Sequence, residues 1–232
     1  MRYWMGWLLL PLLLVGCTTR DAVEESSANE DMFQTLLGKS EQEVQAKLDE
    51  AWTHFFYGDD NSERVYYPVG DDMAYIYDVG SGDVRSEGIS YGMMIAVQMD
   101  KQEEFDRIWK WAKTYMYHEE GQYAGYFAWH ATREGVQIDA NPASDGETWI
   151  TMALFFAAHR WGNGEGIFNY EAEANQLLQT MIHKGDDGTI ATPIFNNENK
   201  LIVFVPTLGR VSQFTDPSYH TPHYYSLWAE WA

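Results

Sequence analysis

The chain has 232 residues, enough for one good-sized domain, and nothing in its middle reads as a linker that would divide it. With 15 basic against 35 acidic residues its formal net charge is −20, a field that repels phosphate backbones and anionic headgroups and so argues against nucleic acid or a polybasic membrane patch. Aromatic residues make up 16% of the chain, including 10 Trp and 15 Tyr; neutral sugars, whose apolar ring faces stack on flat side chains, suit that composition, and so does a wide helical core.

Residues 1–16 carry one early positive charge and then WLLLPLLLV, too short to span a bilayer comfortably and typical of the apolar stretch of a secretory signal. The run ends in Leu14, Val15, Gly16 and Cys17, the pattern of a bacterial lipobox. Cys17 is the only cysteine, so no disulfide can form within the chain, and its expected use is lipid attachment. The polar, acidic residues that follow read as a tether running to residue 38, with the folded domain at 39–232. The expected location is the bacterial cell envelope, with the membrane as partner only through the lipid.

Six helices are predicted downstream. Ser40 and Glu43 form a capping box for the first, with Val44, Leu48, Trp52 and Phe55 at helical spacing and Gly58 as the stop. Residues 87–99 are almost all apolar or small, which predicts a helix buried on every side. Asp100 and Glu103 spell a second capping box, opening a one-sided helix that turns Phe105, Ile108, Trp109, Ala112, Tyr115 and Met116 inward. Residues 144–160 are again apolar throughout, with Ser144 and Glu147 as a third capping box. Residues 169–184 are one-sided, stopped by Gly185. A last helix is expected to start after Pro217 and to be running still at Trp231. Residues 75–77 and 201–205 read as short extended pieces in rim hairpins. Buried helix followed by surface helix, repeated, is the pattern of an all-α toroid of helical hairpins.

Glu87 stands where an extended polar stretch turns into the apolar helix. A carboxyl there either complements the helix dipole or, drawn partly out of water by its neighbours, serves as a proton donor. Trp129 is a candidate platform for a sugar ring or a core residue. Arg85 is placed to orient a carboxylate, and Tyr91, one turn after Glu87, to hydrogen-bond or shade it. His220 and His223 are three apart, but no third ligand at suitable spacing accompanies them, so no metal and no cofactor is expected. No phosphate loop, nucleophile elbow or Cys/His grid is present.

The segments GDVRSEGISYGMMIAVQMD, AGYFAWH, PASDGETW and FTDPSYHTPHYY, together with VGDDMAYIYD, resemble glycoside hydrolase family 8, and within it the reducing-end xylose-releasing exo-oligoxylanases. The resemblance implies an (α/α)6 toroid, of which about the first half is present here, and an inverting glycosidase acting on β-1,4-linked xylo-oligosaccharides or a related glucan. It implies Glu87 as the general acid, Asp145 as a contact to the sugar at the cleavage site and Tyr219 as the residue that positions the attacking water. Trp129, Tyr91 and Arg85 would bind substrate. The family's base is an aspartate beyond Ala232, so the chain by itself is expected to be inactive. The alternative is a surface glycan-binding lipoprotein without catalysis.

Overall fold

The computed structural model describes residues 32–185 and 188–232; the expected signal segment, Cys17 and most of the expected tether lie outside the described residues. The described chain falls into two units, one ending at Asp49 and one starting at Glu50. In the first, a short helix α1 (Met32–Leu37) precedes the opening turns of α2 (Glu41–Tyr57). The predicted capping box is formed: the Ser40 N–H donates to Glu43 Oε2 at 2.9 Å and the Glu43 N–H donates to Ser40 Oγ at 3.3 Å.

The second unit holds the core. Along α2 it is Trp52 and Phe56 that are buried, their rings 3.7 Å apart, while Phe55 is exposed; the inward stripe is rotated from the predicted one because Phe56 packs on Tyr66. A hairpin of β1 (Tyr66–Val69) and β2 (Met73–Ile76) follows, as expected near residue 75. Then come β3 (Val84–Arg85), α3 (Ser86–Gln98), α4 (Gln102–Tyr115), β4 (His130–Ala131), β5 (Gln137–Asp139), α5 (Ser144–Trp161) and α6 (Tyr170–His183). The strands β3, β4 and β5 form a small antiparallel sheet that pairs Arg85 with His130 and His130 with Asp139.

Five predicted helices stand at their predicted places, and the sixth starts late. A single 3-10 turn, Pro217–Tyr219, comes first, and α7 (Pro222–Trp231) begins only at Pro222. The reason is steric: a residue before proline is held out of the helical region, and Thr221 has φ −124° and ψ 65°. His220 therefore lies in the turn, beside the Thr215 hydroxyl at 3.0 Å, and shares no helix face with His223. Residues 201–205 make one isolated bridge, Ile202 to Phe195, in place of a regular hairpin, and a second bridge just beyond them joins Thr207 to Ala191.

Three expectations about α3, α4 and α5 are corrected. α3 is buried on most sides, but Glu87, Tyr91 and Ile95 form an exposed stripe at i, i+4 spacing. Asp100 does not cap α4; it has φ 57° and accepts from the Trp161 indole at 2.7 Å. Ser144 and Glu147 form no capping box, since Ala143 is the cap residue and makes no side-chain bond. Ser144 is already inside the helix and buried, and Glu147 turns away to the Phe127 N–H.

α3 and α5 run in close contact, and glycine is what permits it. A Cβ on Gly146 would stand 2.5 Å from Ser86 Oγ and 2.8 Å from Ser86 Cβ. We predict that Gly146→Ala forces the two helix starts apart and lowers unfolding stability by about 1–3 kcal/mol. Denaturant titration would show it; an unchanged midpoint would refute the close-packing argument.

Candidate active site

Helices α3 and α5 open alike: an extended residue, then Ser, an acid and Gly, so that Glu87 and Asp145 are each the second residue of their helices. Both carboxyls are thus delivered to helix N-termini, where the unpaired backbone N–H groups favour negative charge. They line one pocket of about 460 Å³. Arg85, Trp129 and Tyr219 line it too, and Tyr91 joins through its hydroxyl, which donates to Glu87 Oε1 at 3.0 Å. Six residues drawn from four segments of the sequence are brought together.

The two acids sit in different surroundings. Glu87 is exposed, which corrects the expectation that its neighbours hold it partly out of water. The dehydrated carboxyl is Asp145, 7% exposed, with no hydrogen-bond partner for Oδ1. Burial, followed by the nearby charge of Glu87, outweighs the backbone N–H of Gly146 and pushes Asp145 up to about 6. Tyr219 is raised beyond the ordinary tyrosine range by burial and then by the negative charges of Asp145 and Glu87. Tyr91 goes up to about 12, by burial and then by its contact with Glu87. Both tyrosines therefore keep their protons at neutral pH.

Arg85 does pair with carboxylates, but with Asp78 and Asp83, its Nε 3.1 Å from each. Asp83 also binds His130 Nε2 at 2.7 Å. Burial opposes the ionisation of Asp83, yet the hydrogen bonds from Arg85 and His130 prevail and hold its carboxyl below the usual range. The Arg85 guanidinium lies 5.3 Å from the Trp129 ring centre, and Trp129 is half-buried. Backbone bonds fix the tryptophan: Ser86 N–H donates to Trp129 O at 3.0 Å, and Trp129 N–H donates to Asn141 O at 2.8 Å.

Two features escape a reading of the sequence. Glu147 is fully buried, and its Oε1 accepts from the Phe127 N–H at 2.8 Å, tying the Trp129 strand to the start of α5. Burial keeps its carboxyl well above the ordinary range. The segment carrying Phe204, Val205, Thr207 and Val211 forms a wall of the pocket, and Phe204 stacks on Tyr219 at 5.2 Å. Only the short apolar run at 201–205 hinted at it, and it carried no sign of which face would turn to the pocket.

Residues 78–230 match the model of glycosyl hydrolases family 8. The chain belongs to that family. It is 50% identical over 195 residues to the reducing-end xylose-releasing exo-oligoxylanase Rex8A of Paenibacillus barcinonensis, an alignment covering 84% of this chain and 50% of the relative. A reducing end xylose-releasing exo-oligoxylanase of Halalkalibacterium halodurans is 49% identical, with 84% and 49% covered. Endoglucanase C of Ruminiclostridium cellulolyticum is 28% identical over 174 residues, 73% of this chain and 33% of the relative. Among solved structures, Rex8A complexed with xylose superposes with a TM-score of 0.82 at 50% identity, covering 87% of this chain and 52% of that one. The chain spans about half the length of these exo-oligoxylanase relatives, and its helices are part of an (α/α)6 toroid.

The displacement of Asp145 sets a pH dependence. Its carboxyl ionises near 3.8 when unfolded and near 6 when folded, so the fold prefers the protonated form. That contribution is complete below pH 3.8 and is lost as the pH rises through 6; the difference amounts to about 3 kcal/mol. Asp145→Asn is expected to raise the melting temperature at pH 7.5 and to lose that advantage below pH 4. A difference independent of pH would show that burial does not govern this carboxyl.

Proposed function

We propose that the whole protein is an inverting glycoside hydrolase acting on xylo-oligosaccharides, and that this chain supplies the proton-donating side of its cleft. The observation that carries the reading is the gathering of Glu87, Asp145, Tyr219 and Trp129 around one pocket. The likeness to exo-oligoxylanases supports the substrate class, and a mutant of Rex8A complexed with 3(3)-alpha-L-arabinofuranosyl-xylotetraose has a TM-score of 0.84 against this chain.

In this mechanism Glu87 protonates the departing glycosidic oxygen. Tyr91 occupies one carboxyl oxygen as a hydrogen-bond donor, which orients the carboxyl so that the other oxygen carries the proton. Asp145 faces the sugar at the cleavage point, where its carboxylate offsets the positive charge that develops on the ring carbon. Tyr219, protonated throughout the working range, holds the attacking water. Inversion also needs a base about 6.5–9.5 Å from the acid to activate that water. Trp129 stacks against a sugar ring, which favours glycone binding over protonation itself.

Removal of the proton donor should leave binding in place. In the complete gene product, Glu87→Gln is expected to lower kcat on xylotriose by about 10²–10⁴-fold with KM little changed, whereas Trp129→Ala should raise KM. Wild-type turnover by Glu87→Gln would overturn the reading. Binding of xylotriose without any product from the complete protein would favour the glycan-binding alternative.

We further propose that the protein is exported and anchored by a lipid on Cys17, on the strength of the lipobox pattern. Cells fed radiolabelled palmitate should label the wild type and not Cys17→Ala; equal labelling of the two would remove the anchor from the proposal.

A further inference from the structure

A second cavity, of about 770 Å³, is lined in part by His54, Arg64, Tyr67, Tyr77 and Arg133. It shares none of the residues that line the pocket around Glu87 and Asp145. Its chemistry is unusual for this chain. Arginines in a molecule with 35 acidic residues normally sit beside carboxylates, as Arg85, Arg107 and Arg160 do. Arg133 has no carboxylate within salt-bridge distance among the described residues, and rests on aromatic rings instead. Its guanidinium is 5.6 Å from the centre of Tyr67, 6.0 Å from Tyr75 and 5.1 Å from Tyr77.

The contacts leave the working end of Arg133 available. Its Nε donates to the Tyr75 hydroxyl at 2.8 Å, and the residue is exposed and lines the cavity. Arg64 stands over the same Tyr67 ring at 4.6 Å, and its buried Nε has no hydrogen-bond partner. The two carboxylates of the cavity wall are already engaged: Asp60 pairs with Arg64, while Glu63 lies 3.6 Å from His54 Nδ1 and accepts from the Asp59 N–H at 2.9 Å. The exposed guanidinium of Arg133, among tyrosines and beside the Arg64–Asp60 pair on the same cavity wall, forms a receptor for a single carboxylate. Arginine's planar fork matches that group, and the surrounding hydroxyls and rings suit a polyhydroxylated ring bearing it. An extended polyanion is disfavoured by the charge of the rest of the chain.

We propose that this cavity binds the carboxylate of a uronic acid residue, making it a second carbohydrate site for acidic substituents of a glycan. The site is defined by its own groups and does not depend on the hydrolase reading; only the suggestion that the uronic acid decorates a xylan chain rests on that reading.

The test is NMR titration of the protein, following the Arg133 Nε–H and the Trp129 indole N–H separately. Glucuronate should shift the Arg133 signal with saturation in the millimolar range, and glucose should not. Arg133→Lys, which keeps the charge and loses the fork, should weaken glucuronate at least tenfold, and Arg64→Gln should weaken it as well. Melting temperatures and the response of Trp129 to xylotetraose report whether each variant is folded. Equal effects of glucuronate and glucose would overturn the proposal, as would undiminished glucuronate binding by folded variants of both arginines. Acetate binding as tight as glucuronate would overturn the sugar part of it. A Trp129 signal indifferent to xylotetraose, with Arg133 responding to glucuronate, would refute the hydrolase cleft and leave this site standing.

Discussion

Contact between the first turns of α3 and α5 is the constraint on which the site depends. Gly146 faces Ser86 with no room for a methyl group, so the two helix starts lie side by side and their second residues, Glu87 and Asp145, open into the same pocket. Each helix is entered from extended backbone, at Arg85 and at Ala143. The small sheet of β3, β4 and β5 holds the first of those approaches and also carries Trp129 beside it. Glu147 adds a second tie, from within α5 to the backbone of Phe127. The aromatic wall and the two acids are therefore positioned by one short stretch of packing, and an error of an ångström there would be felt by every group in the pocket.

The electrostatics follow from how unevenly that packing excludes water. Two carboxyls at neighbouring helix N-termini would both be expected to ionise readily. Burial reverses the preference for Asp145, where the loss of solvent is larger than the benefit of the helix end. The same low-dielectric surroundings keep Tyr219 and Tyr91 protonated. Among the described residues, the one Lys or Arg on the pocket wall, Arg85, is held by Asp78 and Asp83. Its charge is thereby largely neutralised, and a developing positive charge in the pocket meets carboxylates and phenols with little opposing field.

Much of the helical frame could be read from the sequence because burial of an apolar stripe at a 3.6-residue period leaves a mark in the residue order. α4 is the clearest instance, with Phe105, Ile108, Trp109, Ala112 and Met116 all in the core. What the order of residues does not record is which of several local bonds wins. Asp100 and Glu103 have the spacing of a capping box, but a left-handed backbone at Asp100 sends its side chain to Trp161. Glu147 has the same spacing from Ser144, and a distant backbone N–H claims it instead. Strands of two or three residues carry no periodicity at all, so the sheet beside the pocket was silent. The acids and aromatic residues of the site were recognisable through short motifs, whereas their burial, which decides that Asp145 and not Glu87 is the dehydrated carboxyl, depends on neighbours remote in the chain.

Behind the acid runs a ladder of rings that links three helices. Tyr91 of α3 meets Trp149 of α5 edge to face at 5.1 Å, and Trp149 meets Tyr224 of α7 in the same way at 5.3 Å. Edge-to-face contacts fix ring planes more firmly than area burial alone, so Trp149 and Tyr224 help to aim the Tyr91 hydroxyl at Glu87. The late start of α7 at Pro222 belongs to this arrangement: it keeps Tyr219 in the preceding turn, stacked on Phe204 at the pocket, while Tyr224, five residues on, reaches the opposite end of the ladder. A helix continuous from Pro217 would carry Tyr219 and Tyr224 on one rigid rod. The break at Thr221 frees one tyrosine for the pocket wall and leaves the other to brace the acid.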